Sequence, residues 1–323
     1  MDQLAVIQKR LEPQLAAMND IILRSLATSN TLMNEVVTNY LRVKGKQIRP
    51  IMVILSAGLF GNVNEDVLHA GAALEMLHNA SLIHDDVVDE TALRRGNPTV
   101  NFEWGNHIAV LVGDFFVSNA LAAGIRTGNI AIISSLSELG TELSIGEVDQ
   151  IFNARNHHFD ETRYLDMIQK KTASLFMSCV KMGAEAAGID SDSYRPLMEY
   201  ARLLGLCFQI KDDIFDYTEN KAIGKPTGND LREGKVTLPL IYAINSGKSG
   251  CHEMKELLVR GNLSEAEINT LLKFAIDCGG IDYSYAKMKE MQANAETYLD
   301  KYPDSIWKDS FRVLFDYIIA RNI

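Results

Sequence analysis

The sequence predicts an all-α fold, a single domain spanning residues 1–323 with helices packed around a central cavity. Three observations predict it. Apolar residues recur at helical spacing in most windows. The breaks between windows carry turn chemistry. No series of alternating apolar and polar residues marks a sheet. The chain has 323 residues, 47% of them apolar and 23% charged, so it can bury a large core and wholesale disorder is disfavoured.

Taken in order, "LEPQLAAMNDIILRSL" (11–26) and "LMNEVVTNYLRV" (32–43) are amphipathic helices. "RVKGKQIRP" (42–50) follows as a basic turn just before a further helix. "EDVLHAGAALEMLHNASLIHDDVVDE" (65–90) is apolar nearly all round, as a central buried helix would be, and "HIAVLVGDFFVSNALAAGI" (107–125) is another. "RYLDMIQKKTASLFMSCVKMGAEAAG" (163–188), "SYRPLMEYARLLGLCFQIKDDIFDYT" (193–218) and "SEAEINTLLKFAIDCGG" (264–280) continue the series. "RRGNPT", "RTGN", "AIGKPTGNDLREGK" and "NSGKSG" punctuate it. None of them is a long low-complexity linker, and no short-period repeat divides the chain.

Lysine and arginine number 32 against 42 acidic residues, a net charge of −10, and the isoelectric point is about 5.2. That balance argues against a nucleic-acid surface but not against a phosphorylated ligand met by local cations or metals. Cys179, Cys207, Cys251 and Cys278 show no CxxC spacing, which points to reduced packing residues and a cytoplasmic location. The amino terminus lacks a signal-peptide pattern. No stretch is expected to be long and apolar enough to span a bilayer. The protein is expected to be soluble, with a peripheral association with a membrane surface left open.

Residues 79–100, "NASLIHDDVVDETALRRGNPTV", crowd Asp85, Asp86 and Asp89 into five positions on an apolar helix. Such carboxylates repel one another and are costly to bury. The pattern recurs downstream as Asp212, Asp213 and Asp216. In each copy the outer aspartates are four apart and share a helix face. Glu75, His78, Leu82, Asp85 and Asp89 form one mainly polar stripe. Arg202, Gly205, Gln209, Asp212 and Asp216 form another. Facing each other across a bundle, these stripes would hold hard cations. Mg²⁺ suits them, because it takes a few carboxylates, retained waters and phosphates. A single Asp-Asp-x-x-Asp is as readily a solvated helix end; two copies, each following an apolar helix, favour a site. Histidines and cysteines are not clustered as a zinc centre requires.

Basic segments complement the aspartates: Lys46 and Arg49; Arg94 and Arg95; Lys171 beside Thr172; Lys225 and Lys235. Individually each reads as solvated surface. Together they describe cations opposite a metal-bound anion, with arginine suited to bidentate phosphate contacts. No GxxxxGK[ST] supports a nucleotide P-loop. His78 shares the aspartate stripe and is taken as a ligand contact, whereas His69, His157 and His158 are left structural.

The segments "GKQIRP", "EMLHNASLIHDDVVDETALRRGNPT", "GDFF", "QKKTASLF", "FQIKDDIFDYT" and "GKPTGNDLREGKVTLP", from residue 45 to 239, resemble the trans-isoprenyl diphosphate synthases, the polyprenyl synthetase family. The ends match more loosely, although the Tyr317…Arg321 tail is also similar. The resemblance implies an isoprenoid-synthase-like helical bundle and a chain-elongating prenyltransferase using several Mg²⁺ ions. It implies Asp85 and Asp89, with Asp212 and Asp216 opposite, as metal ligands. It implies Arg94, Lys171, Thr172, Gln209 and Lys225 on the allylic diphosphate, Lys46, Arg49, His78 and Arg95 on isopentenyl diphosphate, and Lys235 among the substrate-binding residues. A homodimer is implied as well. Gln47 stands where many members have arginine, and Lys-Thr-Ala where some have Lys-Thr-Gly.

The growing chain is expected to run down a tunnel beside the helix of Asp85. Residues four and five before it lie roughly 5 Å deeper. Family members that make short products carry bulky aromatics there; this chain has Ala80 and Ser81, with Leu77 and Leu74 further back. A long-chain all-trans product, of the kind used for a quinone side chain, is expected. The alternatives are a farnesyl or geranylgeranyl synthase and a non-enzymatic subunit of a two-component synthase, for which the aspartate motifs would be expected to be degraded. A terpene cyclase would not need Lys46, Arg49 and His78. An HD-type phosphohydrolase, suggested by His84-Asp85, leaves the second motif unexplained.

Overall fold

In the computed structural model, which describes residues 3–43, 45–94, 96–218 and 227–321, many helices start at caps that the sequence supplies. Helices α1 (Gln3–Arg10) and α2 (Glu12–Ser25) are followed by α3 (Thr31–Leu41), where the Asn30 side chain accepts from the Met33 amide at 3.0 Å. Helix α4 (Ile48–Leu59) starts after Gln47, which sits in the left-handed region at φ 54°. Arg49 therefore lies inside the first turn of α4 rather than before it. Helix α5 (Glu65–Val88) is capped by Asn64, which accepts from the Val67 amide at 2.9 Å.

The turn at "RRGNPT" is a small antiparallel ribbon of β1 (Leu93–Arg94) and β2 (Asn97–Pro98). Helices α6 (Val100–Trp104), α7 (Asn106–Arg126) and α8 (Ile130–Arg155) follow. The segment read as one helix over 163–188 is three pieces: α9 (Glu161–Ile168), a π-helical turn (Gln169–Ala173) and α10 (Ser174–Ala186). Next come α11 (Ser191–Phe215), α12 (Asn229–Arg232), α13 (Leu238–Asn245) and α14 (Cys251–Arg260). The chain continues through α15 (Glu265–Asp277), opened by a Ser264–Glu267 capping box, α16 (Gly280–Leu299) and α17 (Ile306–Ala320).

Two compact units form: Met1–Thr141 with Leu175–Met198 and Tyr302–Val313, and Glu142–Ser174 with Glu199–Lys301 and Leu314–Ile323. In the first, α5 packs against α2, α4 and α7. Its Ala70, Ala72, Ala73, Leu74, Met76 and Leu77 are all buried, together with Ile51, Met52, Phe116 and Phe176. Pro196, which lacks a backbone donor, interrupts α11 there. The Tyr302 hydroxyl bridges the gap, accepting from the Leu197 amide at 3.1 Å and donating to the Ser193 carbonyl at 2.8 Å. In the second unit α13 packs on α15 and α16, burying Leu240, Ile244, Ile268, Leu271 and Ala275.

One expectation is overturned. Helix α7, 21 residues long, is long and apolar enough by length and composition to cross a membrane. Asp114 and the small residues around it interrupt the apolar run to the eye without lowering its average enough. Ala109, Val112, Phe116, Ala120 and Ala123 of α7 are buried in the first unit, while its other side is exposed.

Candidate active site

The first aspartate motif lies where α5 ends. Asp85 and Asp86 occupy its last turn, and Asp89 is the residue that caps it. The motif therefore crosses a helix terminus rather than lying along one face. A helix carboxyl end carries partial negative charge, so three aspartates there are disfavoured unless cations offset them. Arg94 offsets one. Its Nη2 lies 2.7 Å from Asp86 Oδ1, and its Nε reaches Oδ1 at 2.9 Å and Oδ2 at 3.1 Å. Asp86 and the ribbon strand β1 hold Arg94, while Asp85 and Asp89 remain half-exposed.

Helix α7 fixes the approach to this motif. The His84 ring lies over Gly113, where a Cβ would overlap it. Its Nε2 is 3.2 Å from the Val110 carbonyl and 3.5 Å from Asp114 Oδ1. "GDFF" thus matches "HDD" physically, because only glycine lets the imidazole sit against α7. One turn before Asp85, Ala80 is buried, and Ser81 donates to the His78 carbonyl at 2.9 Å. Leu77 and His78 are buried as well. The Tyr40 hydroxyl donates to Asn79 Oδ1 at 3.1 Å while its ring meets Phe116 edge-on at 5.6 Å. Lys46 is exposed. The Arg49 guanidinium lies 5.8 Å from the Phe176 ring centre; burial raises the pKa of the Cys179 thiol, an effect Arg49 opposes and Glu75 adds to.

The second motif belongs to the second unit and is more heavily bonded. Asp212 and Asp213 sit in the last turn of α11, with Asp216 just past its end. Arg321, at the end of α17, places Nη2 2.7 Å from Asp212 Oδ1. It also donates to the Phe208 carbonyl at 2.9 Å and stacks 4.1 Å over the Phe208 ring. Asp213 is buried and accepts from Tyr164 Oη at 2.5 Å and Gln209 Nε2 at 2.8 Å. Asp216 accepts the Asn229 and Asp230 amides at 2.9 and 3.0 Å, capping α12.

Burial pushes the Asp213 carboxyl well up; Tyr164 and Gln209 oppose that shift, while Asp212 and Asp216 add to it. Asp230 is raised by burial and then by Asp213 and Asp216. Burial, followed by the charge of Asp213, raises the Tyr164 phenol.

Lys171 and Thr172 lie in the π-helical turn, a distortion that often marks functional positions. Gly146 of α8 makes room for it, since a Cβ there would come within 2.5 Å of the Lys171 amide nitrogen. Lys171 pairs with Glu147 and donates to Gln150 Oε1 at 3.0 Å. Thr172 Oγ1 donates to Gln209 Oε1 at 2.6 Å. A cavity of about 160 Å³ adjoins these groups, lined by Gln150, Tyr164, Lys171, Gln209, Asp213 and Asp230 among others. Lys235 and His158 also line it. Lys235 pairs with Glu233 at 2.6 Å, and His158 Nδ1 lies 2.7 Å from Arg163 Nη1.

In the second unit Lys171, Gln209 and Lys235 line one cavity, Thr172 is bonded to Gln209, and Asp212 and Asp216 lie in the same unit. The first holds Asp85, Asp89 and Arg94, with Lys46, Arg49 and His78 elsewhere in it. Arg95 and Lys225 lie outside the described residues. Sequence reasoning passed over Tyr164, Glu147, Asp230 and Arg321 as site residues. Tyr164 gave one signal, a polar atom at an apolar position two turns before Lys171. Arg321 gave only a tail pattern, because its partner is 109 residues away.

The donor set suits Mg²⁺. It offers carboxylate oxygens, and among the described residues no three acidic, histidine or cysteine side chains converge into a metal cage. An ion bound by one or two carboxylates with waters and substrate phosphates needs no such cage.

Residues 30–275 match the polyprenyl synthetase family model. This chain belongs to the polyprenyl synthetase family. As a member it is a prenyltransferase. The polyprenyl synthetase is 34% identical over 318 residues to an octaprenyl diphosphate synthase of Haemophilus influenzae, covering 98% of this chain and 96% of the relative. Its structure matches a decaprenyl diphosphate synthase of Rhodobacter capsulatus at TM-score 0.92 and 31% identity, covering 98% of each chain. It matches a geranylgeranyl pyrophosphate synthase of Bacteroides thetaiotaomicron at TM-score 0.86 and 35% identity, covering 99% and 100%. The polyprenyl synthetase therefore shares the all-α architecture of these enzymes.

Proposed function

We propose that this polyprenyl synthetase condenses an allylic diphosphate with successive isopentenyl diphosphates to give a long-chain all-trans polyprenyl diphosphate, of the kind that supplies quinone side chains. One observation carries the reading: two Asp-Asp-x-x-Asp motifs, each crowding carboxylates at the negative end of a buried helix in a member of this family. Such crowding is stable with cations in place.

Asp85 with Asp89, and Asp212 with Asp216, would hold several Mg²⁺ ions, whose positive charge stabilises the departing diphosphate. Arg94, Lys171, Thr172, Gln209 and Lys225 act on the allylic diphosphate; Lys46, Arg49, His78 and Arg95 hold isopentenyl diphosphate; Lys235 assists on the substrate side. The allylic carbon–oxygen bond breaks with its electron pair going to the diphosphate oxygen. The isopentenyl double bond then attacks the allylic cation. A proton is lost to the departed diphosphate, restoring a double bond. Apolar walls keep water from the cation.

The matched segment draws on both compact units, which supports residues 1–323 acting as one polyprenyl synthetase domain. The four cysteines are free thiols, which supports the cytoplasm. Leu111, Leu121 and Ile125 are exposed on α7 with Val110 beside them. This apolar face supports a homodimer, because a second copy would cover it. Sedimentation at twice the 35.9 kDa chain mass is expected, and a monomer would contradict it. An apolar product of this length supports release at a membrane surface.

Incorporation of labelled isopentenyl diphosphate by the purified protein alone tests the reaction. Activity should vanish in EDTA, return with Mg²⁺, and fall by several orders of magnitude in Asp85→Ala or Asp212→Ala with helicity retained. Undiminished condensation in chelator would exclude the metal mechanism.

A further inference from the structure

The turn that carries Lys46 and Arg49 has an uncommon backbone. Gln47, the residue before α4, is left-handed at φ 54° and ψ 31°, a conformation that a residue with a Cβ adopts rarely. A residue in this place is ordinarily extended, with a side chain that bonds the first amides of the helix. Gln47 makes no such bond. Its side chain reaches back instead, and Nε2 donates to Asn19 Oδ1 on α2 at 3.2 Å. One residue earlier, the Lys46 carbonyl accepts from Gln8 Nε2 on α1 at 3.0 Å. Two amide ties from two helices therefore meet at adjacent residues of one turn, all within the first unit. The helices that supply the ties are themselves fixed. Leu4, Ile7, Leu15, Met18 and Ile22 are buried along them. A Cβ on Gly71 of α5 would overlap the Met18 side chain, next to Asn19. Gly71 lies about two turns before His78 on the same helix. Helix α2 thus sets the turn at Gln47 against the helix of His78.

We propose that Gln47, Asn19 and Gln8 are positioning residues for isopentenyl diphosphate: the two ties hold the turn in its left-handed form and so set Lys46 and Arg49 in fixed relation to each other and to the helix of His78. This rests on the reading of Lys46, Arg49 and His78 as isopentenyl-site residues. A diphosphate offers only acceptor oxygens, and the Lys46 and Arg49 side chains offer only donors. What these cations need from the protein is a fixed place. A turn ordered before the anion arrives spends none of the binding free energy on its own ordering. Glycine would supply the left-handed φ with less strain, but it has no side chain to tie. Asparagine tolerates that region better than glutamine, yet it is one methylene shorter and would leave Asn19 out of reach. Glutamine alone of these three supplies both the conformation and the tie to α2.

Gln47→Asn separates positioning from packing. It should keep or raise the melting temperature, because asparagine suits the left-handed region. It should nevertheless raise KM for isopentenyl diphosphate roughly 3- to 10-fold, since the turn must then be ordered on binding. KM for the allylic diphosphate and kcat should stay within about twofold. A merely structural tie would lower stability when lost and would not single out one substrate. Asn19→Gln combined with Gln47→Asn exchanges the partners and keeps their summed length, so KM should return to within about twofold of wild type. Gln8→Ala, which frees the Lys46 carbonyl from α1, should raise the same KM. Calorimetry with isopentenyl diphosphate alone should show the matching loss of affinity without turnover. An unchanged KM for isopentenyl diphosphate in Gln47→Asn, or an exchange variant that recovers nothing, would overturn the proposal. Lys46→Ala is the reference. If it raises that KM while Gln47→Asn does not, the ties are refuted and the reading of the site stands. If Lys46→Ala leaves that KM unchanged, the reading of the site fails and the proposal fails with it.

Discussion

Gly113 shows how much a missing side chain can decide. The His84 ring occupies the space a Cβ would need, and His84 immediately precedes Asp85. Gly113→Ala should cost about 1–3 kcal/mol through overpacking. In a His84→Ala background the same change should cost much less, because the opposing ring is gone. Thermal melts of the four proteins check this, and equal costs in both backgrounds would separate Gly113 from His84. At this scale the sequence was legible where a motif repeats. Asp85, Asp89, Asp212 and Asp216 stand out by their spacing as the proposed metal ligands. Tyr164 and Arg321 do not stand out, because their meaning lies in partners 49 and 109 residues away.

Helices were legible in proportion to their apolar spacing. Helices α5, α7 and α11 announced themselves, and their ends fall within a few residues of expectation. The π-helical turn did not. Widening one turn shifts the backbone register but leaves the apolar pattern almost unchanged, so composition cannot report it. Yet that turn presents Lys171 and Thr172. Helix ends misled in a related way: equal spacing suggested a shared face for the outer aspartates, whereas Asp89 and Asp216 lie where the helices stop. The floor of the proposed product tunnel is a property of α5. Ala80 is buried and small, with Leu77 one turn deeper. Ala80→Phe should shorten the product without abolishing ionisation, since it leaves every proposed metal ligand in place. Chromatography of dephosphorylated products checks it, and an unchanged length would exclude Ala80 from the tunnel.

At the scale of the whole chain, the net charge of −10 hides local cations. Arg94, Lys171 and Arg321 each sit against a carboxylate, so the acidic balance excludes a basic surface without excluding diphosphates. The exposed apolar face of α7 was the feature least legible beforehand, because a helix buried on one side and apolar on the other reads as core throughout. The central claim is that the small residues before the first motif permit long-chain synthesis. The direct measurement supplies purified wild type with Mg²⁺, isopentenyl diphosphate and farnesyl diphosphate, then sizes the dephosphorylated products by chromatography. A product well beyond geranylgeraniol is predicted; arrest at farnesol or geranylgeraniol would contradict the account.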